Sequence, residues 1–287
     1  MAVKKVKKRK RKLRGAGGKK TAPMRPYHVE KTPPCRHMCP SGNRIREFLT
    51  TISQAENLGK TTEQAFQEAW EILTETSPFP AVCGRVCPHP CEPACNRKDH
   101  DSAVNINEVE RAIGDFGLEK GLKLKTLSDQ KRPQKVAIVG AGPGGLSCAY
   151  QLARRGYQVT VFEASEKPGG MLRWGIPRFR LPSDVLDGEI QKILDLGVEL
   201  KCNTRIGEGM SLEDLQSEYQ AVFVSIGAEK GLKLGFDGEQ ADNVLSGVAF
   251  LNRINRGEKV DVGDSVIVVG GTNRILDAAR TCRRLGA

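Results

Sequence analysis

Six of the nine cysteines in this 287-residue chain lie before residue 96, at spacings that suit metal chemistry. Cys83, Cys87, Cys91 and Cys95 are each separated by three residues within AVCGRVCPHPCEPACNR, residues 81–97. Such a period would stack four thiols on one helix face. Pro88, Pro90 and Pro93 stand among them, and a proline inside a helix removes a hydrogen bond and clashes with the preceding turn. The run is therefore expected to be a folded loop that gathers sulfur. Cys35 and Cys39 repeat the spacing upstream. Iron–sulfur clusters take thiolates from irregular backbone, and prolines beside the ligands, here Pro40 and Pro88, suit that use. A structural zinc site is the competing reading, although zinc favours closer cysteine pairs. Nine cysteines in such a chain point to a reducing compartment and to metal or redox use rather than disulfides. Cys148, Cys202 and Cys282 fall in apolar or strand contexts and read as ordinary buried cysteines.

A second constellation is Gly140, Gly142 and Gly145, a G-x-G-x-x-G pattern 23 residues ahead of Glu163. It follows the β-branched run Val136 to Val139 and opens a helical pattern, the context that makes it a dinucleotide fingerprint. Gly140 permits the tight turn, Gly142 lets backbone approach a pyrophosphate, and Gly145 allows close strand–helix packing. Glu163 can accept hydrogen bonds from ribose hydroxyls and would repel a 2′-phosphate, so the expected ligand is FAD or NAD, not NADP. Downstream, EKPGGMLRWGIPRFRLP places Gly169 and Gly170 where backbone can pass a flat ring. One of Arg173, Arg178 and Arg180 could meet a phosphate or a flavin oxygen, and at least one is expected to be solvated.

These groups need elements to hold them. Apolar residues recur at helical spacing at Ile45, Phe48, Leu49 and Ile52, and again from Ala65 to Leu73 behind an N-cap at Thr62. VNINEVERAIGDFGLEKG predicts a third helix ending near Gly121. Residues 31–120 are thus a small helical domain whose loops hold sulfur, 121–134 a polar linker, and 135–262 a strand–turn–helix domain in which AVFVSIGA is a further buried strand. Residues 263–287 start another strand–glycine–helix unit, with Gly270 standing 130 residues after Gly140.

The net charge of +11 resembles a nucleic-acid signal until it is located. Residues 1–20 hold eleven Lys or Arg and no acid, which leaves 34 basic against 34 acidic residues in the rest. The first 30 residues read as a solvated, disordered basic arm, and the folded part as neutral, with no specific nucleic-acid partner. The arm has no apolar core of a secretory signal, and no run is long and apolar enough to span a membrane. The expected location is the cytoplasm.

The segments CRHMCPSGN, SPFPAVCGRVCPHPCEPACNR, VNINEVERAIGD, VGAGPGGLSCAYQLARRGYQVTVFE, PGGMLRWGIPRFRLP and VVGGTNRILDAARTCRRLGA together resemble the glutamate synthase small subunit family. That family includes the N-terminal part of dihydropyrimidine dehydrogenase and the large subunits of NADH-dependent ferredoxin:NADP reductases. The resemblance implies an α/β Rossmann-like FAD domain preceded by a small α-helical iron–sulfur domain, with electrons passing from NAD(P)H to FAD and through [4Fe–4S] clusters to a partner. It places Gly140, Ala141, Gly142, Pro143, Gly144 and Gly145 at the pyrophosphate, Glu163 at the ribose, Gly170 and Met171 near the flavin, and adds Arg180 and the backbone of Ile206. It assigns one cluster to Cys39, Cys87 and Cys91 with Glu110 as a fourth ligand. A second maps onto Cys35, Cys95 and two upstream cysteines, but none precedes Cys35. The expectation is one complete cluster and a second that is absent, incomplete or rebuilt with Cys83, which matches a non-ligand position. From sequence alone, Glu110 would read as a surface helix acid.

Gly270, Gly271 and Asn273 match the family's NAD(P)H fingerprint, but Thr272 and Ile275 replace small residues in it, so nicotinamide binding by this chain alone is not expected. The chain is expected to be a truncated product or half of a split enzyme. Its expected partners are the missing C-terminal half or a redox protein, within a hetero-oligomeric complex.

Overall fold

The computed structural model describes residues 32–228, 231, 235–271 and 273–287. The basic arm expected over residues 1–30, and Thr272, lie outside the described residues.

Five helices come first: α1 (Pro34–Met38), α2 (Ile45–Ser53), α3 (Thr62–Thr74), α4 (Pro80–Val86) and α5 (Ile106–Glu119). The start of α3 is a capping box on Thr61, one residue earlier than expected. The Thr61 hydroxyl accepts from the Gln64 N–H at 3.2 Å, and the Gln64 side chain accepts from the Thr61 N–H at 2.9 Å. Helix α4 crosses α5 at backbone distance. A methyl group on Gly114 would lie 2.3 Å from the Ala81 nitrogen, and one on Gly84 would lie 2.4 Å from the Arg111 Cα. Glycine at both positions brings the cysteine-bearing helix onto α5.

The α/β part runs β1 (Lys135–Val139), α6 (Pro143–Ala153), β2 (Gln158–Phe162), α7 (Met171–Trp174), α8 (Ser183–Leu194), β3 (Glu199–Lys201), α9 (Leu212–Glu218) and β4 (Ala221–Val224), followed by α10 (Gly247–Asn255) and α11 (Asn273–Leu285). The four strands form one parallel sheet in the order β3-β2-β1-β4. β1 and β2 are buried along all but their first residue, which is why both read as β-branched runs without alternation.

The expected boundary between helical and α/β segments is not a gap in the packing. Phe48, Trp70, Leu73, Ile106 and Ile113 share one core with Ile138, Leu146, Tyr150, Leu186 and Ile193. Across this core, Tyr150 donates from its hydroxyl to the Thr74 carbonyl, and Arg154 donates to the Glu75 carbonyl at 3.0 Å. Both bonds close the C-terminal carbonyls of α3. No helix among the described residues is long and apolar enough to cross a membrane.

Two expectations about strands change. AVFVSIGA does form β4, but as the sheet edge, so Phe223 and Val224 are 42% and 53% exposed rather than buried. The strand expected over residues 265–270 joins no ladder among the described residues, and Ile267 is 89% exposed. A strand exists only through a neighbour that takes its N–H and C=O groups. Helix α11 needs no such neighbour and forms as expected, packing Ala278 and Cys282 against Phe250 and Leu251 of α10.

Candidate functional site

The glycine loop after β1 has the expected form. Gly140 takes φ +106, and α6 begins with no side chain capping its first turn. A methyl group on Gly145 would lie 1.9 Å from the Gly140 carbonyl oxygen, so only glycine packs α6 against β1. Gly169 donates its N–H to the Ala141 carbonyl at 2.8 Å. Gly170, at φ +51, comes so close that a methyl there would lie 2.8 Å from the Gly142 Cα. At Gly142 itself an added methyl would meet nothing nearer than Gly170, at 3.9 Å. The two glycine turns thus form one bare cradle at an uncapped helix N-terminus, which fits a pyrophosphate and a flat ring. Pro143 and Gly144 begin α6, Met171 begins α7, and Ile206 packs beneath β1 beside Met210.

Glu163 is buried at the end of β2. Its two oxygens accept from the Ala141 N–H at 2.7 Å and the Ser165 N–H at 2.8 Å. The carboxylate therefore anchors the loop. All three arginines after the second glycine turn have a protein partner, and Arg178 is also exposed, as expected for at least one of them. Arg173 pairs with Asp187, Arg178 donates to the Asn255 carbonyl at 3.0 Å, and Arg180 pairs with buried Asp277 of α11 at 2.5 Å. At the second fingerprint, a methyl on Gly270 would lie 2.4 Å from Ile275 Cδ1, so the Ile275 side chain crowds that glycine as expected. Gly271 is exposed, and Asn273 begins α11.

The cysteines divide into two groups. Cys91 is buried, and its thiol is pushed up to about 12 by burial first and then by Cys39 and Cys87 beside it. The Cys87 thiol is raised by burial, with Glu110 and Cys39 adding to it and the His89 N–H opposing it. Cys39, Cys87, Cys91 and Glu110 therefore sit together. The Cys35 thiol is raised mainly by burial, and its cysteine neighbours are Cys95 and Cys39. Cys83 has a different set of neighbours. Burial raises its thiol most, followed by Glu110, and its other charged neighbours are Glu189 and Cys87. Glu110 lies on α5 and Glu189 on α8, and Cys35 and Cys95 are not among the charged groups that move this thiol.

Among the described residues, no three His, Cys, Asp or Glu side chains converge on a single metal ion. Four thiolates around one zinc would stand about 3.8 Å apart, given a Zn–S bond of about 2.3 Å. Raised thiol pKa values also mean that metal binding must release protons.

Glu110 is not a surface acid. It is 8% exposed, and its contact with Asn43 Nδ2 is long at 3.5 Å. Burial lifts its carboxyl to about 7. An almost unpartnered buried carboxylate beside three thiols fits a metal ligand.

Glu189 of α8 escaped the sequence reading. It is buried and accepts from the Ala81 N–H at 2.6 Å and the Val82 N–H at 2.9 Å, at the first turn of α4. The available signal was its position among Leu186, Ile190 and Ile193, an acid on an apolar stripe. Burial lifts its carboxyl to about 8, while the Ala81 and Val82 N–H groups and Arg85 oppose the rise. An acid raised in the folded state holds its proton more tightly there than in the unfolded chain. Stability of the metal-free protein is therefore expected to fall as pH rises from about 4.5 to about 8 and then to level. Melting curves of wild type and Glu189→Gln over that range check this: the variant should lose part of the slope, and an identical slope would refute it.

Two family models match the chain. Residues 28–122 match dihydropyrimidine dehydrogenase domain II, 4Fe-4S cluster, and residues 138–185 match an NAD(P)-binding Rossmann-like domain. The glutamate synthase [NADPH] small chain of Escherichia coli is 36% identical over 89% of this chain and 55% of its own length. Over most of its length the chain is similar to that small chain. Among other relatives, the NADPH-Fe(3+) oxidoreductase subunit beta of Geobacter sulfurreducens is 37% identical over 94% of this chain and 40% of its own length. The NAD-dependent dihydropyrimidine dehydrogenase subunit PreT of Salmonella typhimurium is 37% identical over 88% and 59%. The chain thus spans 40 to 59% of the length of these relatives. The match over 28–122 encloses all six clustered cysteines and Glu110, and that over 138–185 encloses both glycine turns and Glu163.

Proposed function

We propose that this chain is the flavin and iron–sulfur electron-transfer module of an NAD(P)H-dependent oxidoreductase. The observation that carries the reading is the grouping of Cys39, Cys87, Cys91 and buried Glu110 on the same packed core as the bare cradle of Gly142 and Gly170. When bound, FAD exchanges electrons in pairs or singly, and a [4Fe–4S] cluster exchanges them singly. The chain's own residues supply placement. The α6 N-terminus and the N–H groups of Gly144 and Gly145 face the pyrophosphate, and Glu163 accepts from the ribose while holding Ala141. Gly170 and Met171 line the flavin edge. Cys39, Cys87, Cys91 and Glu110 hold one cluster, and Cys35 and Cys95 stand at the position of a second. FAD is preferred to NAD in the first cradle because the second glycine turn extends it toward a flat ring.

The relatives are named as subunits, and this chain spans about half of them. That partial coverage supports a partner that supplies or accepts electrons, and the crowding of Gly270 by Ile275 argues against nicotinamide oxidation at that segment.

The test is anaerobic purification followed by absorption, flavin, iron, sulfide and zinc analysis. Bound FAD with about four iron and four sulfide per chain supports the reading, and zinc without sulfide refutes it. Glu110→Gln is expected to keep about four iron, since an amide oxygen can replace the carboxylate, whereas Glu110→Ala should retain about three. Equal iron in wild type and Glu110→Ala would remove Glu110 from the ligand set.

A further inference from the structure

Between Cys87 and Cys91 the chain reads Pro88-His89-Pro90. His89 is left-handed there, at φ +42. A side-chain-bearing residue pays for that region, and a residue before proline is pushed toward extended backbone instead. The conformation persists because four contacts around His89 hold it. Its N–H donates to Cys87 Sγ at 3.3 Å. Its Nδ1 donates to the Cys87 carbonyl at 3.0 Å. Its own carbonyl accepts from the Glu92 N–H at 3.0 Å, and its Nε2 lies 3.6 Å from the Glu92 carboxylate. Glu92 in turn accepts from the Asn107 N–H at 2.8 Å in the first turn of α5, the helix that carries Glu110. Strain concentrated between two ligands and tied to the helix of a third is a functional arrangement rather than a packing accident.

We propose that His89 is a positioning residue that tunes the cluster held by Cys39, Cys87, Cys91 and Glu110, its left-handed backbone aiming an N–H at the sulfur of Cys87. The inference rests on the cluster assignment under Proposed function. A donor on a cysteine sulfur draws electron density from the iron and favours the reduced state, so the bond raises the reduction potential. The imidazole acts on the backbone, locking the turn through the Cys87 carbonyl and Glu92, and is not itself the group that faces the sulfur.

The experiment compares wild type, His89→Gly, His89→Asn and His89→Val in the full chain, purified anaerobically with its cluster. Glycine and asparagine tolerate the left-handed region and keep the N–H, whereas valine disfavours it. Resonance Raman spectra in H2O and D2O read the iron–thiolate stretch, and a redox titration followed by EPR reads the midpoint. Wild type, His89→Gly and His89→Asn are expected to share a deuterium-sensitive stretch and a common midpoint. His89→Val should lose that sensitivity and shift to a more negative midpoint. His89→Ala serves the same comparison if His89→Val fails to fold. A deuterium-sensitive stretch and unchanged midpoint in the valine variant would overturn the proposal, as would equal shifts in glycine and valine, which would assign the effect to the imidazole. Wild type without iron and sulfide would instead refute the cluster assignment itself.

Discussion

Gly145→Ala is expected to abolish flavin binding and to lower the melting temperature of the protein even without flavin. The added methyl would stand 1.9 Å from the Gly140 carbonyl oxygen, and both groups are backbone-fixed, so no side chain can rotate away. Helix α6 must lift off β1. That movement pulls apart the Ala141 bonds to Glu163 and Gly169, which shape the cradle. Overpacking costs about 1–3 kcal/mol, and the upper end, expected for a backbone clash, is roughly two orders of magnitude in affinity. Gly142→Ala separates the roles. Its methyl meets only the Gly170 Cα, at 3.9 Å, so the flavin-free protein should melt like wild type, yet the methyl projects where the pyrophosphate must approach. Flavin titration and thermal melts of the two flavin-free variants check this. A Gly142→Ala protein that binds FAD as tightly as wild type would place the nucleotide elsewhere.

Glu189→Ala is expected to destabilise the protein by about 3–5 kcal/mol and to empty the cluster site. The substitution leaves the Ala81 and Val82 N–H groups without an acceptor in the buried junction between α4 and α8 and opens a cavity there. Helix α4 carries Cys83 and ends at Cys87, so loosening its first turn displaces a ligand from the far side. Glu189→Gln keeps the shape and one acceptor and should lose less than half as much. Denaturant unfolding and iron content measured together test the argument. An alanine variant within about 1 kcal/mol of wild type with full iron would show that α4 is held by its glycine contacts with α5 alone.

How far these groups could be read in advance depended on whether their chemistry is local. The Gly140–Gly145 turn, the helix behind it and the acid at position 163 follow from neighbours in the chain, and all three stand where expected. The prolines excluded one helix through the whole cysteine run, but the expected loop is corrected at its start: α4 carries Cys83 and stops at Val86, and only Cys87, Cys91 and Cys95 follow in loop and turn. Residues 265–270 failed for the opposite reason. Their β-branched texture predicts a strand, but a ladder is a property of two segments, and none of the described residues lies alongside.

Residue types and spacing by themselves determined the two chemistries of this protein, a bare glycine turn for a dinucleotide and a proline-broken set of thiols for a metal cluster. Only the tertiary structure decided which acids serve them. Glu110 and Glu189 look like any helix glutamate, and Arg180 like any loop arginine. Contacts reaching across 67, 108 and 97 residues bury the first beside thiols, set the second at the α4 N-terminus and pair the third with Asp277. The same packing sets Cys83 near Glu110 and Glu189. Burial, and with it a carboxylate's proton affinity, is a property of faces that meet only once the helices pack.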